Sequence, residues 1–525
     1  MNKNFSVIGL MALCIFSACK SAWLNVDQLQ VDTDQMTNVY SPIGEASYSI
    51  ADLMTTLIDD DAVELRTGEN GELSIVYSHK NEPFVLDDLL GLDNQKWEED
   101  ITLYRSLPSN QRNNQEQLIA RKTFYFTFDR MEGTTLTQIA FVEALLTMSF
   151  EHPDRSNFRA EVTFPKMLDE SDQPKFFAVD LADSKPQITD DLSAHSLTMS
   201  SPEGTNTIRV DIDVYLKDAA NIDIIQFNTP MDIILALGDI EPEWIEGYIG
   251  EEERNFSSGP IRLAFLDKFE PGQIAIHNPT LSFTIENGFG ATFNTSLQVN
   301  GQSGQQSVYL TGATDFEVAR PQKRDDQPVT TSRTFDNTNS NLAELVNSFP
   351  SAMEFEVKVI SKANNNTSPE PVNFYKPDQG IHTALEITLP LTLTLDQFLF
   401  TQSTNINPME VDTAMVKSAQ LIVNGASSLP ADLRMQIIMA NEQDQFIGQL
   451  FPAEGFPLSG SHGQEEEHTN IIADLDQNTL HALSNTEKLH IYLYFDSPEG
   501  MVTFRADQHI RLNFGINANI KSLDF

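Results

Sequence analysis

The sequence has almost no cysteine. Its 525 residues contain two, Cys14 and Cys19, and both stand near the amino terminus. The remainder of the chain can therefore form no disulfide bond, and it offers neither a redox thiol nor a cysteine-built zinc site. Stability has to come from buried apolar surface, and a chain of this length can bury enough of it.

Basic residues are also scarce. The chain has 33 Lys and Arg against 76 Asp and Glu, which gives a formal net charge of −43. The acids are spread along the chain, which indicates a solvated surface of one sign. Such a surface repels nucleic acid and anionic lipid headgroups, because both are bound mainly through Lys and Arg. Nucleic-acid binding is excluded, whereas a basic partner or diffusely held divalent cations are compatible with this charge.

Common catalytic motifs are missing. The sequence has no G-x-S-x-G elbow, no H-E-x-x-H helix, no phosphate-binding G-x-x-x-x-G-K and no dinucleotide-binding G-x-G-x-x-G. We therefore predict that the protein is not an enzyme and carries no cofactor. A glycosidase with paired carboxylates stays open, because 76 acids allow many pairs and the sequence gives no distances.

One segment is dense in metal-ligand residue types: His462, Glu465, Glu466, Glu467 and His468. Imidazole and carboxylate groups suit zinc. The segment follows Ser-Gly-Ser, however, and this context predicts a solvated loop with nothing rigid to aim the side chains. We predict no metal site there.

The first nineteen residues have the parts of a bacterial export signal: Lys3, an apolar run over residues 5–16, and small residues before a cysteine. The run is shorter than the roughly 20 residues that span a bilayer. Its end, Phe16-Ser17-Ala18-Cys19, resembles the lipobox of bacterial lipoproteins. That resemblance implies cleavage between Ala18 and Cys19, removal of residues 1–18, and diacylglyceryl modification of Cys19. The alternatives are a plain cleaved signal or a single membrane anchor.

Residues 19–40 lack a long periodic pattern and are predicted to be a tether. Lys20 follows the cysteine, where enterobacterial lipoproteins kept in the inner membrane carry Asp, so the outer membrane is favoured. Surface-exposed lipoproteins of Bacteroidota often carry acids directly after the cysteine. Here the first acid is Asp27, which leaves the periplasmic and surface faces open.

Residues 41–118 are predicted to be a small mixed region. Ser49, with Asp52 three residues on, favours the start of a short helix. Asn70-Gly71 between two alternating strands predicts a β-hairpin. The Pro-Ile opening, the helix and the acidic hairpin resemble the start of large Bacteroidota envelope lipoproteins of uncharacterised function. The resemblance covers residues 41–90 and the lipobox, and it implies no catalytic residues.

Beyond residue 118 the apolar residues alternate with period two, as in antiparallel sheets with one buried face. Similar patterns recur at an offset of about 135 residues: the apolar positions of residues 137–150 can be laid on 272–285, and more faintly on 419–425. A helical turn before an alternating strand recurs at 341–359 and 479–493. We predict three modules, 119–255, 256–400 and 401–525, each a sandwich or open barrel. The predicted fold class is mainly β, with tandem antiparallel β-sandwich-like modules.

The sharpest local pattern in the second module begins at His277-Asn278-Pro279 and ends at Asn287-Gly288. Pro279 suits the start of a strand, and Asn-Gly predicts a turn at its end. The stretch resembles the strand start of water-stress and hypersensitive-response β-sandwich domains. That resemblance implies a sandwich and nothing catalytic.

Trp244 and Tyr248 stand among several carboxylates and are four residues apart, so on a helical turn they would share a face. Aromatic residues beside carboxylates often build sugar sites. The alternative is a connector between modules whose aromatics fill the seam between sheets. The chain has 3 Trp, few for a glycan-binding protein.

Two functional hypotheses follow. In the first, the chain is a lipid-anchored protein of the outer membrane and a non-enzymatic scaffold that contacts other envelope proteins, such as a barrel, a transporter or a secretion machine. In the second, it is a glycan- or lipid-binding lipoprotein that uses Trp244 and Tyr248.

Overall fold

Strands dominate the computed structural model, and the sheets are antiparallel, which confirms the predicted mainly β class. The structure describes residues 37–55, 63–86, 92–104, 115–128, 133–182, 187–201, 204–251, 253–261, 273–303, 306–361, 372–405, 416–451, 455–458, 460–461, 466–497 and 500–520. Ala18 and Cys19 lie outside these ranges, so lipidation stays a prediction. Within the ranges, no helix is long and apolar enough to cross a bilayer.

The N-terminal segment contains the predicted helix and hairpin. Its elements are β1 (Thr37–Ser49), α1 (Ile50–Thr55), β2 (Val63–Thr67), β3 (Leu73–Lys80), β4 (Phe84–Val85) and β5 (Gln95–Ile101). The N–H of Asp52 donates to the Ser49 Oγ at 3.0 Å, which is the expected cap of α1. β2 pairs antiparallel with β3, and Gly71 has a φ of 85° in the turn between them. Both local predictions are confirmed.

The first module spans ten strands: β6 (Gln117–Thr127), β7 (Thr135–Glu151), β8 (Phe158–Leu168), β9 (Pro174–Asp180), β10 (Gln187–Asp191), β11 (Ser196–Thr198), β12 (Ser200–Ser201), β13 (Gly204–Thr205), β14 (Thr207–Leu216) and β15 (Met231–Tyr248). Two short 3-10 helices, Arg155–Asn157 and Ala219–Ile224, precede β8 and follow β14. β11 pairs with both β7 and β8 and so joins the two layers of the module.

The second module contains β16 (Glu253–Ile261), β17 (Ile274–Ile276), β18 (Thr280–Asn287), β19 (Phe293–Ser303), β20 (Gln306–Tyr309), β21 (Asp315–Val318), β22 (Val329–Phe335), α2 (Leu342–Asn347), β23 (Ala352–Ser361), β24 (Phe374–Tyr375), β25 (Gly380–Pro390) and β26 (Thr392–Leu395). The predicted helical turn at residues 341–345 is α2, apart from its first residue.

The third module contains β27 (Phe398–Asn405), β28 (Val416–Ser427), β29 (Asp432–Ala440), β30 (Phe446–Gln449), β31 (Phe456–Leu458), β32 (Glu467–Leu475), α3 (Gln477–Ser484), β33 (Lys488–Asp496), β34 (Val502–Thr503) and β35 (His509–Ile520). The predicted boundaries after residues 255 and 400 fall inside β16 and β27, the strands with which the second and third modules begin.

One pairing order recurs in all three modules. The first layer runs β5-β15-β7-β10 in the first module, β3-β25-β18-β22 in the second and β1-β35-β28-β32 in the third. The second layer runs β6-β14-β8-β9, β16-β23-β19-β20 and β27-β33-β29-β30. Four strands of each layer therefore correspond from module to module, and the modules share this order of pairing.

The N-terminal segment is shared among the modules. It contributes β5 to the first module, β3 to the second and β1 to the third, which is the reverse of chain order. Residues 37–40, predicted as the end of the tether, lie in β1. The predicted region 41–118 therefore does not form a sheet of its own, because its strands complete the sheets of later segments.

The core of each module lies between its two layers. In β14, for example, Val210, Ile212 and Val214 are fully buried and alternate with half-buried residues. Their neighbours on β8, Ala160 and Val162, are fully buried as well. This period-two burial is the physical basis of the alternating sequence pattern.

The chain divides into two compact units. One consists of Met1–Tyr48, Leu399–Phe495 and His509–Phe525 and so holds most of the third module with β1. The other consists of Ser49–Phe398 and Asp496–Gln508 and holds the first two modules. Within this second unit, residues 496–508 contact the β2–β3 hairpin: the N–H of Ala506 donates to the carbonyl of Gly71 at 2.9 Å.

The turn predicted at Asn287-Gly288 lies where the chain leaves β18, but it does not join β18 to the next strand as a hairpin. β18 pairs with β25 and β22, so the chain passes from Asn287 to the opposite layer and not back along β18. The buried Asn287 amide donates to the carbonyl of Ala291 and to that of Ala319, each at 2.9 Å. Asn424-Gly425, the matching pair in the third module, lies inside β28. The pairing of the neighbouring strands, and not the Asn-Gly dipeptide, decides where the chain runs after this point.

Arg159 on β8 links two carboxylates on the outer face of the first module. It contacts Glu116 at 2.6 Å and Glu161 at 2.7 Å, and the pKa of Glu116 is lowered by the hydrogen bond from Arg159. Because Glu116 titrates at lower pH in the folded chain than in the unfolded one, its contribution to stability is complete above its unfolded pKa. The contribution is lost as the pH falls through its folded pKa.

We predict that Arg159→Gln lowers the free energy of unfolding at pH 7 by about 1 kcal/mol or less, as is usual for partly exposed ion pairs. The difference from wild type should be smaller at pH 2.5 than at pH 7, because Glu116 loses its charge as the pH falls. Urea unfolding at both pH values measures it, with Arg511→Gln, a change at an exposed arginine of β35, as the control. An equal loss at both pH values would contradict the ion-pair explanation.

Candidate functional site

Trp244 and Tyr248 lie on a strand and not on a helical turn. They belong to the last residues of β15, where Trp244, Glu246 and Tyr248 alternate with buried Ile245. In a strand, alternate residues share a face. The two aromatics therefore do share a face, but on a strand and not on the helical turn considered for them, because the ladder with β7 keeps this segment extended.

Gly247 lets β15 follow β7 closely at this point. Its φ is +147°, and a Cβ at this position would lie 2.2 Å from the carbonyl oxygen of Thr135. Only glycine is compatible with that approach. On the other edge of β15, Ile245 pairs with Tyr375 and Glu246 with Phe374 of β24. The aromatic segment is thus held between β7 of the first module and β24 of the second.

Arg324 covers one side of Trp244. Its guanidinium carbon lies 3.8 Å from the centre of the Trp244 ring, and its Nε lies 3.7 Å from the Glu246 carboxylate. The Arg324 side chain is 40% exposed and that of Glu246 is 23% exposed. A sugar could stack on this side of the ring only if Arg324 moved away.

A second arginine fixes the surrounding backbone. The Nη1 of Arg320 donates to the Gly290 carbonyl at 2.9 Å and to the Asn373 Oδ1 at 2.8 Å. Gly290 itself packs directly on Phe374, because a Cβ on it would lie 2.2 Å from the Phe374 ring. The segments that carry Gly290, Arg320 and Asn373 are therefore held together beside β15.

Two phenols of this region are kept protonated. Burial raises the pKa of Tyr375 well above its ordinary value, although its hydrogen bond with Asn373 acts in the other direction. Burial also raises the pKa of Tyr248, and the nearby Glu251 adds to this. At neutral pH these hydroxyls can donate hydrogen bonds but cannot serve as bases.

The His462–His468 segment is only partly described. Residues 462–465 lie outside the described ranges, and Glu466 contacts His509, with 3.3 Å between Oε1 and Nε2. Glu467 and His468 begin β32 and pair with Ser427 and Ala426 of β28. Both residues are exposed, as predicted, but they lie in a strand and not in a loop, because β28 provides them with backbone partners. Among the described residues, no group of three or more His, Cys, Asp or Glu could hold a metal ion.

The residues around Trp244 that sequence reasoning missed come from three distant segments. Gly290, Arg320, Arg324 and Asn373 stand between 46 and 129 positions away in the chain. No local pattern marks them. Only the packing of the second module beside β15 brings them to Trp244.

No known protein family matches the chain, and no curated protein matches it. Among solved structures, a Parabacteroides distasonis protein described as secreted is 14% identical, with a TM-score of 0.32, over 53% of this chain and 83% of its own. The structure of infectious bursal disease virus strain Gx is 7% identical, with a TM-score of 0.14, over 89% of this chain and 85% of its own. TM-scores this low support no inference about the present chain.

We predict that Arg324→Ala uncovers Trp244. In a background with Trp23→Phe and Trp97→Phe, acrylamide should quench Trp244 fluorescence more strongly than when Arg324 is present. The free energy of unfolding should fall by about 0.5–1 kcal/mol, the usual value of a partly exposed cation–π contact. Arg333→Ala is a matched control, because Arg333 lies over a different ring, that of Phe316. Unchanged quenching would show that Arg324 does not cover the ring in solution.

Proposed function

We propose that the chain is a lipid-anchored protein of the outer membrane and a non-enzymatic scaffold for other envelope proteins. The observation that supports the scaffold is the threefold recurrence of one pairing order, which gives a single chain three modules of the same build. The lipobox pattern at Cys19 supports the anchor. Fold alone does not specify function, so the proposal depends on partner binding.

The proposed anchor puts the third module within reach of the membrane. Eighteen positions separate Cys19 from Thr37, the first residue of β1. At most about 3.6 Å per residue, this connection spans no more than roughly 65 Å. Because β1 belongs to the first layer of the third module, that module is held within this distance of the lipid.

The alternative function, capture of a glycan or lipid, would use Trp244 and Tyr248. Their shared face and their half-buried positions favour it. The guanidinium of Arg324 over the Trp244 ring weighs against sugar stacking on that side. We therefore keep the scaffold as the preferred function.

We predict that Cys19→Ala releases the protein from the membrane or leaves its leader uncleaved, because the thiol is the acceptor of the proposed lipid. Wild-type protein should stay in the membrane fraction, since a diacyl group supplies the two chains that stable anchoring needs. Fractionation and mass spectrometry of the amino terminus measure both effects. Cys14→Ala is the control and should be processed normally. Membrane retention of fully processed Cys19→Ala protein would rule out lipidation.

We also predict that the full-length protein, cross-linked in intact cells and solubilised gently, purifies with one outer-membrane protein in stoichiometric amount. Cross-linking before lysis restricts capture to neighbours in the envelope. The Cys19→Ala variant should lose this partner if anchoring is needed to reach it. The scaffold function would be overturned in favour of ligand capture if no stoichiometric partner is found and the protein shows saturable glycan binding that Trp244→Ala abolishes.

A further inference from the structure

The edge of the first module's second layer is open at β9. Within the described ranges, the backbone of β9 pairs with β8 alone. Arg159 lies opposite Asp180, and Thr163 lies opposite Phe176. The N–H of Leu181 donates to the Phe158 carbonyl at 3.0 Å, which continues this ladder by one residue.

The ladder fixes which backbone groups point outward. In an antiparallel pair, alternate residues exchange hydrogen bonds with the partner strand, while the residues between them direct N–H and C=O away from it. Since Leu181 bonds to β8, Val179, Phe177 and Lys175 do so as well. Phe176, Ala178 and Asp180 therefore present their backbone groups to the open edge, ready to pair with another strand.

The corresponding edge strands of the other modules each have a helix beside them. In the second module the outward carbonyl of Tyr309 on β20 accepts a hydrogen bond from the Asn341 amide at 3.0 Å, directly before α2. In the third module α3 packs beside β30, and a Cβ on Gly448 would lie 3.4 Å from the Cβ of Ala482. At the equivalent chain position, between β10 and β14, the described residues of the first module form the short strands β11–β13 and no helix.

The side chains of β9 also favour docking. Phe176 is 54% exposed, and Ala178 beside it is exposed as well. Edge strands are commonly protected by an outward lysine. Here Lys175 has a side chain only 21% exposed and contacts Asp190 of β10 at 2.5 Å, so it does not block the edge.

The turn that leads into β9 is acidic. Asp169, Glu170 and Asp172 stand within four residues, and Glu170 and Asp172 are exposed. The Asp169 carboxylate accepts hydrogen bonds from the N–H groups of Ser171 and Gln173, which lower its pKa and keep it charged. A strand added to β9 would pass this negative charge, and Lys or Arg at its end would be attracted to it.

We propose that β9 is a docking edge for an extended segment of a partner protein that is apolar at its centre and basic at the end beside the acidic turn. The segment adds to the sheet as a further strand, with backbone hydrogen bonds to Phe176, Ala178 and Asp180 and an apolar side chain on Phe176. The proposal rests on the proposed scaffold function, for which it names a contact surface. A second copy of this chain fits less well, because each carries a net charge of −43.

The test uses the mature full-length protein and a fluorescent probe peptide, Lys-Lys-Val-Thr-Val-Thr-Val-Lys-Lys, with binding measured by anisotropy. Ala178→Pro removes one outward N–H without removing a hydrogen bond to β8. It should weaken binding about tenfold or more, because the edge loses one N–H donor and the proline ring obstructs the approach of the added strand. Phe176→Ser, which keeps the backbone, should weaken binding by a smaller factor.

Two matched controls distinguish the loss of the outward N–H on β9 from general effects of a substitution on the protein. Ala178→Ser keeps the N–H and should bind as wild type. Ser307→Pro makes the same kind of change on β20, which has α2 beside it and where the Ser307 N–H also points outward, and should leave binding unchanged. A peptide with Glu in place of its four Lys should bind about tenfold more weakly or worse, since one of its ends lies beside the acidic turn in either orientation.

The proposal is overturned if the wild-type protein does not bind the peptide. It is also overturned if Ala178→Pro binds the peptide as tightly as wild type and has an unchanged circular dichroism spectrum. Dimers of the free chain that Ala178→Pro dissociates in sedimentation runs would also overturn it, because the occupant would be a second copy. Failure here is distinct from failure of the scaffold. If the cross-linked membrane partner stays with Ala178→Pro, the scaffold stands and only the β9 edge is rejected.

Discussion

The constraint on which the structure depends is the pairing of three N-terminal strands with three later ones. β15, β25 and β35 each have β5, β3 or β1 on one side. Without those strands, each would expose a row of unpaired N–H and C=O groups. Because β1 pairs with β35, the first described strand is completed by the last. The third module therefore depends on chain closure over nearly the whole sequence, which is entropically costly and predicts slow folding.

Differences between the modules carry more functional information than their shared plan. α2 and α3 stand at equivalent positions and pack beside β20 and β30, whereas the first module has short strands there and leaves β9 open. Among the described residues, the last strand of the second layer thus has a helix beside it in two modules and none in the first. This difference between the modules is the reason for proposing β9, and not β20 or β30, as a surface for binding a partner.

The acidic composition shapes the local contacts. With few basic residues available, several arginines each serve more than one partner: Arg159 contacts Glu116 and Glu161, and Arg324 contacts both Trp244 and Glu246. These arginines neutralise local charge and hold strands together. The rest of the surface remains negative, which favours basic partners over a second copy of the chain.

The sequence by itself determined the elements whose causes are local. Alternating apolar residues predicted the β class, Ser49 with Asp52 predicted the cap of α1, and Asn70-Gly71 predicted the β2–β3 turn. The tertiary structure decided what depends on distant partners: that Trp244 lies on a strand, that Arg324 covers it, that Asn287 leads to the opposite layer, and that β9 pairs with β8 alone among the described strands. These features result from strand pairing across tens to hundreds of residues, and periodicity records only which side of a strand is buried, not which strand lies beside it.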